Sequence, residues 1–557
     1  MSVVQPCYVI VTGGVLSGLG KGVVTASLGA LFRMMGLRCT LKKLDPYLNV
    51  DPGTMNPVEH GEVFVTEDGA ETDLDIGYYE RFAGITATNA NSTSSGKIYQ
   101  RLLDRERQGD FLGKTVQMIP HFTDELQSFI QKDAEHYDVV LCEIGGSVGD
   151  IEAMPFYEAL RQLRLSVGPS RFVLVHLTYI VHYCASNEFK TKPAQNAIRE
   201  LMQTGLTPDI LVCRSEHPEI SALPLHVRTK LQQFCGRVVE APNVDNIYEI
   251  PMRFVDQGVD TYFQEHLQCT THMTINTSLW KTLNTRMQQS VSTKSIVIAI
   301  VGKYVQLHDA YCSLLEAIFH ASIHPSVQCR IEYKWIDART LETQLYQKSD
   351  SEQYSLVKSA LESAQAVIVP GGFGSTGLEA MIQCLRVART EGIPTFGICL
   401  GMQLMVVEWI RHVTGNMNVI SEEWEVDDEQ SKQTSITVVG RLPNLDNSAM
   451  GGTMRLGSHQ VTLRKGSDAY RIYQHKIHIK ERHRHRYEVK PEWVPVLEKS
   501  GLRVSGHREG LVEIVEQVDH HPWYVGCQFH PEYISTPFNP HPLVVDWLHK
   551  TCTHGIK

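Results

Sequence analysis

The stretch YVIVTGGVLSGLGKGVV, residues 8–24, joins a short apolar run to a glycine-rich turn and a helical pattern. A strand, a glycine-rich turn and a helix in this order direct backbone N–H groups and a helix N-terminus at one place, and both favour anions. The loop departs from the usual GxxxxGK[ST] pattern, because Gly22 follows Lys21 where a serine or threonine would hold Mg²⁺. We therefore expect a phosphate-binding loop whose metal ion is held from elsewhere; a tight turn with a surface lysine is the alternative.

The same alternation of apolar runs and helical patterns continues through both halves of the chain. Strand candidates cover residues 8–12, 39–44, 138–146, 171–180 and 209–215 in the first half, and 295–304, 366–372 and 393–401 in the second, with a hairpin over 511–531. Near-continuous apolar strands that alternate with helices predict parallel sheets covered on both faces. We predict an α/β protein with a P-loop-like parallel-sheet domain over 1–275, a linker over 276–294 and a second α/β domain over 295–557.

Composition limits the classes of function. The chain has 557 residues and a net charge of −10 at pH 7, which argues against general affinity for nucleic acid or anionic membranes. No apolar run approaches the roughly 20 residues that span a bilayer, and the N-terminus lacks the pattern of a signal peptide. Thirteen cysteines without CxxC pairs are typical of reduced thiols. We expect a cytoplasmic, multidomain enzyme, with the acidic run 421–435 as a surface loop.

Carboxylates later in the first half are candidate metal ligands. GAETDLDIGYYERF (69–82) places Glu71, Asp73 and Asp75 at alternate positions, and CEIGGSVGDIE (142–152) places Glu143 at the end of a strand. Mg²⁺ prefers carboxylate oxygens and water, and open α/β sheets bind ligands at the carboxyl ends of their strands. We expect such distant carboxylates to hold the metal ion; for any single acid, a solvated surface position is the alternative.

A basic segment, EFKTKPAQNAIRELM (188–202), adds a second candidate anion site. Lys190 and Lys192 stand just before an amphipathic helix, Pro193 stiffens the loop, and Gln195 can hydrogen-bond a base or a ribose. Read alone, the segment is equally well interpreted as a charged helix start. Together with the glycine-rich loop, it suggests two phosphate-rich ligands.

A different site is predicted in the second half. PTFGICLGMQ (394–403) places Cys399 between a strand and a helix, with Gly397 and Gly401 expected to permit a sharp turn. The helix N-terminus favours a thiolate at this position. CQFHPEY (527–533) adds His530 and Glu532, which an extended strand would place on one side, so that the carboxylate orients the imidazole.

This arrangement predicts attack of a thiolate on an amide, with ammonia leaving and a thioester forming. The backbone N–H groups of Leu400, after the nucleophile, and of Gly372 in VPGGFG (369–374) are candidates for the oxyanion hole. For an isolated cysteine or histidine, core packing is the alternative. The GICLGMQ and FHPE segments in this order favour catalysis.

In their order along the chain, GGVLSGLGKG, KLDPYLNVDPGTMNPVEHGEVFVTEDGAETDLDIGYYERF (43–82), EIGGSVGDIE and KTKPAQ resemble the synthetase domain of the CTP synthase family. The segment from about residue 295 resembles that family's class I glutamine amidotransferase domain. The resemblance implies that ATP phosphorylates the 4-oxygen of UTP, and that ammonia from glutamine displaces the phosphate to give CTP. It also implies Mg²⁺, GTP as an activator, CTP as a feedback inhibitor, a homotetramer, and filaments as a further family property.

The resemblance also implies roles for particular residues. ATP binding falls to Ser17, Gly18, Leu19, Gly20, Lys21, Gly22 and Asp75, and Mg²⁺ binding to Asp75 and Glu143, with Lys43 a further charge near the phosphates. The pyrimidine nucleotide is bordered by Ser17, Asp150, Ile151, Glu152, Lys190, Thr191, Lys192, Pro193, Ala194, Gln195 and Lys230. Catalysis of glutamine hydrolysis falls to Cys399, His530 and Glu532, glutamine binding to Gly372, Leu400, Gln403, Glu423 and Arg486, and GTP activation to Arg455 in GGTMRLG (451–457).

Three other interpretations stay open at this point. RHRHR (482–486) is also the pattern of a basic patch for nucleic acid. The same loop and glutaminase residues occur in other glutamine-dependent amidoligases, against which KTKPAQ and the 43–82 block count. A filament-forming member of the family that serves a structural role is the third.

Overall fold

The computed structural model describes residues 5–183, 185–186, 188–215, 223–267, 274–291, 293–346, 348–424, 435–442, 453–518 and 521–554. Two compact units are present. The first consists of Met1–Pro52 and Asp75–Asn284, and the second of Gly53–Leu74 and Thr285–Lys557. Most of the predicted surface loop 421–435 lies outside the described residues. The predicted linker 276–294 contains a helix, Ser278–Val291.

A parallel sheet of seven strands forms the centre of the first unit, which confirms the predicted α/β class. With strands numbered along the chain, its order is β11-β10-β7-β1-β6-β2-β5. The strands are β1 Cys7–Gly13, β2 Cys39–Asp45, β5 Ser92–Ser94, β6 Val139–Ile144, β7 Phe172–Tyr179, β10 Ile210–Ser215 and β11 Arg237–Pro242. The five predicted strands of this half are confirmed, and short β5 and β11 form the edges. Strands β1, β2 and β6 are buried along their whole length, because helices cover both faces.

The helices of the first unit lie between these parallel strands along the chain or follow the last of them. They are Lys21–Met34, Asp75–Ala83, Ser95–Gln108, Thr123–Gln131, Met154–Val167, Lys192–Gln203, Leu225–Leu231, Ile250–Asp256 and Val259–His266, together with a hairpin of β8 Val181–Tyr183 and β9 Glu188–Lys190. Helix Lys21–Met34 packs against helix Asp75–Ala83, and a Cβ added at Gly29 would lie 3.0 Å from the Ala83 Cβ. This close approach brings the start of the second helix near the glycine-rich loop.

A mixed sheet of nine strands organises the second unit. Its order is β13-β12-β14-β15-β23-β22-β21-β18-β19, parallel through β23 and antiparallel beyond it. The strands are β12 Ser295–Gly302, β13 Arg330–Asp337, β14 Ala366–Val369, β15 Thr395–Ile398, β18 Arg455–Leu463, β19 His478–His485, β21 Leu502–Arg508, β22 Leu511–Gln517 and β23 Tyr524–Cys527. The predicted hairpin over 511–531 is β22 paired with β23.

Smaller sheets and nine helices among the described residues complete the second unit. A three-stranded sheet contains β16 Val419–Ser421, β17 Ile436–Arg441 and β20 Tyr487–Val489, and a two-stranded sheet contains β3 Val63–Val65 and β4 Glu71–Asp73. The helices are Pro57–His60, Cys312–Ser322, Ala338–Leu345, Asp350–Ala360, Leu378–Thr390, Leu400–Thr414, Asp468–Ile472, Val494–Ser500 and Pro542–His554. Within the part of the chain that the structure describes, no helix in either unit has the length and apolarity to span a bilayer.

Candidate active sites

The glycine-rich loop leaves β1 and opens directly into helix Lys21–Met34. Gly18 and Gly20 have φ angles of 68° and 87°, which glycine adopts without a steric penalty. Gly20 is the N-cap and supplies no side-chain cap, so the first N–H groups of the helix stay available for an anion. Lys21 is buried, donates to the Gly146 carbonyl at 2.7 Å, and has its pKa lowered by that burial.

Carboxylates converge on a buried lysine beside this loop. Lys43 on β2 stands in register with Glu143 on β6, and its Nζ lies 2.8 Å from Glu143 Oε1 and also bonds Asp75. Burial, and then the charge of Asp75, raises the pKa of Glu143. Two carboxylates that share one ammonium form a donor set of hard oxygens, which fits Mg²⁺. Among the described residues, no group of three or more His, Cys, Asp or Glu side chains is arranged around a common metal position, so water and phosphate oxygens would complete the coordination.

The glycine that replaces the usual P-loop serine has a structural reason. A Cβ added at Gly22 would lie 1.7 Å from Asp75 Oδ1, far inside van der Waals contact. Asp75 is the first residue of helix Asp75–Ala83, which packs against helix Lys21–Met34, where Gly22 is the second residue. The place of the missing hydroxyl is therefore occupied by a carboxylate from a distant part of the chain.

The residues predicted to border a pyrimidine nucleotide are mostly exposed. Ser17, Asp150, Ile151, Glu152, Lys190, Lys192 and Lys230 are exposed, Pro193 and Gln195 are half-buried, and Thr191 and Ala194 are buried. Lys190, at the end of β9, pairs with Glu188, and Gln195 Nε2 donates to Thr191 Oγ1 at 3.0 Å. Thr191, Lys192 and Pro193 form the start of helix Lys192–Gln203, so the charged helix start is confirmed and an anion site at this helix start stays a prediction.

In the second unit, Cys399 occupies a strained turn between β15 and helix Leu400–Thr414. Its φ and ψ are 53° and −104°, a conformation that non-glycine residues rarely adopt. The flanking glycines are required for close packing: a Cβ would lie 1.9 Å from the Val369 carbonyl oxygen at Gly401, and 2.4 Å from Met405 Sδ at Gly397. The glycines therefore permit the sharp turn, as predicted, by leaving room for its close packing, while the positive φ belongs to the cysteine itself.

His530 and Glu532 lie beside the cysteine. His530 Nδ1 is 2.7 Å from Glu532 Oε1. The expected extended strand is wrong here, because β23 ends at Cys527 and Glu532 belongs to a 3₁₀ turn, Pro531–Ile534. Burial lowers the pKa of His530, but the Glu532 charge and the Cys399 thiol outweigh it and raise this pKa to about 10. The site therefore favours the imidazolium form of His530 at neutral pH.

A cavity with an empty volume of about 580 Å³, part of it open to solvent, adjoins these residues. Gly371, Gly372 and Phe373 line it on the side of β14, and a Cβ at Gly371 would lie 2.9 Å from His530 Cε1 and 3.6 Å from Cys399 Cβ. Residues Pro57, Glu62 and Val63 of the early segment 53–74 also line it. Tyr533 holds this segment through a 3.0 Å hydrogen bond from its hydroxyl to the Val63 carbonyl. No signal in the sequence predicted this contribution.

The residues predicted to bind glutamine are distributed around the same turn. Leu400 starts the helix, and a Cβ at Gly372 would lie 3.5 Å from its side chain. Gln403 Nε2 donates to the Tyr487 carbonyl at 2.7 Å, Glu423 Oε1 accepts from the Gly374 N–H at 2.8 Å, and Arg486 Nη1 donates to Thr453 Oγ1 at 2.7 Å. Burial raises the pKa of Glu423.

The sequence analysis did not identify Lys303 as a candidate residue of this site. It follows β12, is buried, and its Nζ donates to the carbonyls of Phe373 and Gly374. Burial lowers the pKa of Lys303 to about 8. A lysine directly after a buried strand, in IVGKY (300–304), is the signal that could have found it.

The RHRHR run lies largely on strand β19, and its two histidines pair with different glutamates. His483 Nε2 lies 2.8 Å from Glu513 Oε2, and His485 Nε2 lies 2.6 Å from Glu488 Oε1. Arg455 bonds the same two glutamates, Glu513 at 2.7 Å. Because Arg482, His483 and His485 are buried, the run does not form an exposed basic patch.

Glu71, one of the expected metal-binding carboxylates, is engaged elsewhere. Its Oε1 accepts from Arg484 Nε at 2.9 Å, and both belong to the second unit, whereas Asp75 and Glu143 belong to the first. The expectation that Glu71, Asp73 and Asp75 share one face of an extended chain is wrong. The alternation of Glu71, Asp73 and Asp75 ends where strand β4 gives way to helix Asp75–Ala83.

Comparison with known proteins finds similar families for both halves of the chain. A family model described as the CTP synthase N-terminus matches residues 7–269, and one for class-I glutamine amidotransferases matches residues 306–549. The CTP synthase of Hydrogenobaculum sp. (strain Y04AAS1) is 44% identical over 554 residues, covering 98% of each chain. That of Methanopyrus kandleri is 45% identical over 552 residues, covering 98% of this chain and 99% of the relative. A solved glutaminase domain of Trypanosoma brucei CTPS with bound acivicin is 33% identical, covering 46% of this chain and 94% of that one with a TM-score of 0.41.

Proposed function

The chain belongs to the CTP synthase family, because relatives 44% and 45% identical to it match over 98% of its length, and from this premise we propose how its two sites divide the work. It is a glutamine-hydrolysing ligase with ATP-dependent chemistry, whose substrates are nucleotides and glutamine. The proposal concerns which residues act, which metal ion serves, and how the enzyme is regulated. The single observation that carries it is the convergence of Lys43, Asp75 and Glu143 beside the Lys21 loop.

The first site binds ATP and activates UTP. Lys21 and the loop N–H groups of Ser17, Gly18, Leu19, Gly20 and Gly22 bind phosphate oxygens. The uracil 4-oxygen is a poor leaving group; transfer of a phosphoryl group from ATP makes it a good one, and ammonia then displaces the phosphate at C4. Asp75 and Glu143 hold Mg²⁺, which when bound supplies positive charge to the phosphates. Lys43, poised between these carboxylates, adds charge where it develops on the transferred group.

UTP, and CTP as a competing inhibitor, are proposed to bind along the exposed residues of the same unit. Asp150, Ile151 and Glu152 follow β6, whose Glu143 bonds Lys43. The segment Lys190, Thr191, Lys192, Pro193, Ala194 and Gln195 supplies lysines and a helix N-terminus for phosphates. Ser17 and Lys230 complete the proposed set. Most of these residues are exposed in the described chain, although Thr191 and Ala194 are buried, and the exposed lysines support access by a charged ligand.

The second site releases ammonia. The Cys399 thiolate attacks the glutamine amide carbon, and the oxyanion is stabilised by the Leu400 and Gly372 N–H groups. His530, as imidazolium oriented by Glu532, gives a proton to the departing ammonia; water then cleaves the thioester. Gln403, Glu423 and Arg486 are proposed to hold the rest of the substrate. The 2.7 Å His530–Glu532 contact and the cavity beside Cys399 support this assignment.

Regulation, assembly and domain limits are proposals of the same kind. We infer GTP activation through the segment of Arg455, whose guanidinium already bonds Glu488 and Glu513, so that GTP would act on a preformed ion cluster. A homotetramer, with filaments as a further state, follows family likeness. A synthetase domain of 1–275, a linker of 276–294 and a glutaminase domain of 295–557 agree with the stretches matched by the two family models, 7–269 and 306–549.

The test is CTP formation from UTP, ATP and Mg²⁺, with glutamine or ammonium chloride as nitrogen source, each with and without GTP. We expect CTP from both sources and a GTP effect confined to glutamine. Substitution of Mg²⁺ by buffer with EDTA should abolish both reactions. No CTP from either source would contradict the proposal and favour another acceptor or a structural role.

A further inference from the structure

Three residues are left over from the catalytic assignments: Arg482 and Arg484 of the RHRHR run and the early carboxylate Glu71. The structure brings them together inside the second unit, where arginines of strand β19 contact segment 53–74. Arg482 Nη1 donates to the Val65 carbonyl at 3.1 Å. Arg484 Nε donates to Glu71 Oε1 at 2.9 Å and its Nη2 to the Gly53 carbonyl at 3.2 Å. Arg484 thereby bonds both ends of this segment.

Arg484 also contacts the glutaminase residues directly. The Cys399 thiol points at the Arg484 carbonyl oxygen, with Sγ to O at 3.8 Å. The guanidinium lies over the Phe373 ring, 5.0 Å from its centroid, and Phe373 follows the proposed oxyanion donor Gly372. Arg484 lines the cavity beside Cys399 together with Pro57, Glu62 and Val63 of the early segment.

The ion pair between Arg484 and Glu71 is placed to hold Arg484 against the residues around Cys399. The Arg484 and Glu71 side chains retain only 11% and 2% of their solvent exposure, so their attraction is weakly screened. Glu71 stands behind Arg484, outside the residues that line the cavity. It packs so tightly against the segment's first residue that a Cβ at Gly53 would lie 2.2 Å from Glu71 Oε2.

We propose that Glu71 and Arg484 are positioning residues for glutamine hydrolysis. Their buried ion pair holds Arg484 in place, so that its carbonyl oxygen orients the Cys399 thiol and its side chain fixes the position of the loop Gly371–Gly374. The proposal rests on the proposed function of the Cys399 site. Neither residue reacts with glutamine. A carboxylate encoded early in the chain thus governs the nucleophile encoded much later.

Two substitutions test the pair. Glu71→Gln keeps the shape and one hydrogen bond but removes the charge, and Arg484→Gln removes the charge from the other end. With glutamine, we expect kcat to fall about tenfold in each while KM changes less than about twofold, because the thiol and the oxyanion loop shift but the substrate-binding groups stay. With ammonium chloride, CTP formation should stay within about twofold of the wild type, since ammonia bypasses the thiol. Alkylation of Cys399 by iodoacetamide should slow together with kcat.

A double variant and a matched control sharpen the result. Because the two residues act through each other, the double variant should be no worse than the poorer single variant. Glu67→Gln is the control: Glu67 lies on the same segment and faces Arg482 at 3.5 Å, but it is 38% exposed. It should leave kcat with glutamine unchanged. Restoration of the rate by Glu71→Asp would separate positioning from general destabilisation.

Several outcomes would overturn the proposal. Equal loss with glutamine and ammonia would indicate a structural defect, and an unchanged glutamine kcat in both variants would show that the pair does not position the site. A Glu67→Gln effect as large as that of Glu71→Gln would assign the effect to the segment as a whole. If the wild-type chain makes CTP from ammonia but not from glutamine, the proposed function of the Cys399 site fails instead, and alkylation rates alone then decide whether the pair positions the thiol.

Discussion

Glu532 sets the charge of the catalytic imidazole. Its carboxylate lies 2.7 Å from His530 Nδ1 and is a main cause of the raised pKa, about 10, of that ring. Glu532→Gln removes the charge while keeping the shape, so the imidazolium should be lost at a pH about one to three units lower. We expect the alkaline limb of kcat/KM for glutamine to move down by that amount. The acid limb of the same pH profile reports the titration of a group other than His530.

The measurement is glutamine hydrolysis between pH 6 and 10.5. Glu532→Asp is the control, because it keeps the charge on a shorter side chain, and its alkaline limb should stay nearer to that of the wild type. An unmoved limb in Glu532→Gln would mean that His530 does not act as the imidazolium acid.

Gly22 gives a second prediction for a single residue. Gly22→Ser restores the usual P-loop sequence, yet its Cβ would lie 1.7 Å from Asp75 Oδ1. Displacement of this carboxylate, a proposed metal ligand, by about 1 Å should cost at least about 100-fold in CTP formation with either nitrogen source. Gly109→Asn, at an open left-handed helix end, is the control and should stay active. Full activity of Gly22→Ser would exclude Asp75 from its proposed position.

Among the structural elements, the antiparallel part of the nine-stranded sheet carries a buried charge cluster that should make it acid-sensitive. Burial alone would raise the pKa of Glu513 on β22, but His483 and Arg455 lower it to about 2. A carboxyl whose folded pKa is depressed stabilises the fold above its unfolded value of 4.5, and this stabilisation, about 3 kcal/mol, is lost as pH falls from there toward 2.

Thermal unfolding at several pH values between 6 and 3 checks this. The second unit should lose Tm steeply below about pH 4.5, and Glu513→Gln should be less stable at pH 6 with a flatter pH dependence. An equally steep loss in that variant would assign the acid sensitivity to other groups. Arg464–Glu498, a pair whose side chains keep 49% and 32% of their exposure, supplies the control substitution Glu498→Gln.

The same elements show what the sequence could predict. Apolar strands such as β1, β6 and β12 were predicted because burial on both faces leaves an uninterrupted hydrophobic run, and the Lys21 loop and Cys399 turn because each needs local residues in fixed order. The 3₁₀ turn at Glu532 was missed, since a two-residue spacing fits a strand as well as a turn. The Arg484–Glu71 pair joins residues 413 positions apart, and no local pattern encodes such a pairing.

For the whole molecule, a substitution at the Cys399 site should stop the use of glutamine without stopping CTP formation from ammonia. Cys399→Ala removes the nucleophile, so glutamine-dependent CTP formation should be lost while the ammonia-dependent rate remains. Asp75→Asn and Glu143→Gln should abolish CTP formation from both sources, because each removes a charge of the proposed metal site. Parallel assays of CTP and of glutamate release measure both functions on one protein. Equal loss of both nitrogen sources in Cys399→Ala would contradict this division.

The assignment of segment 53–74 to the second unit has a consequence for recombination between related genes. Residues on both sides of it complete the first unit, so a single crossover between related genes cannot move one whole unit. A recombinant that acquires everything after residue 284 from another gene receives foreign partners for Val63, Val65 and Glu71, which here meet Tyr533, Arg482 and Arg484. Substitutions in this segment and in strand β19 are therefore expected to be compensatory, and to persist together through evolution.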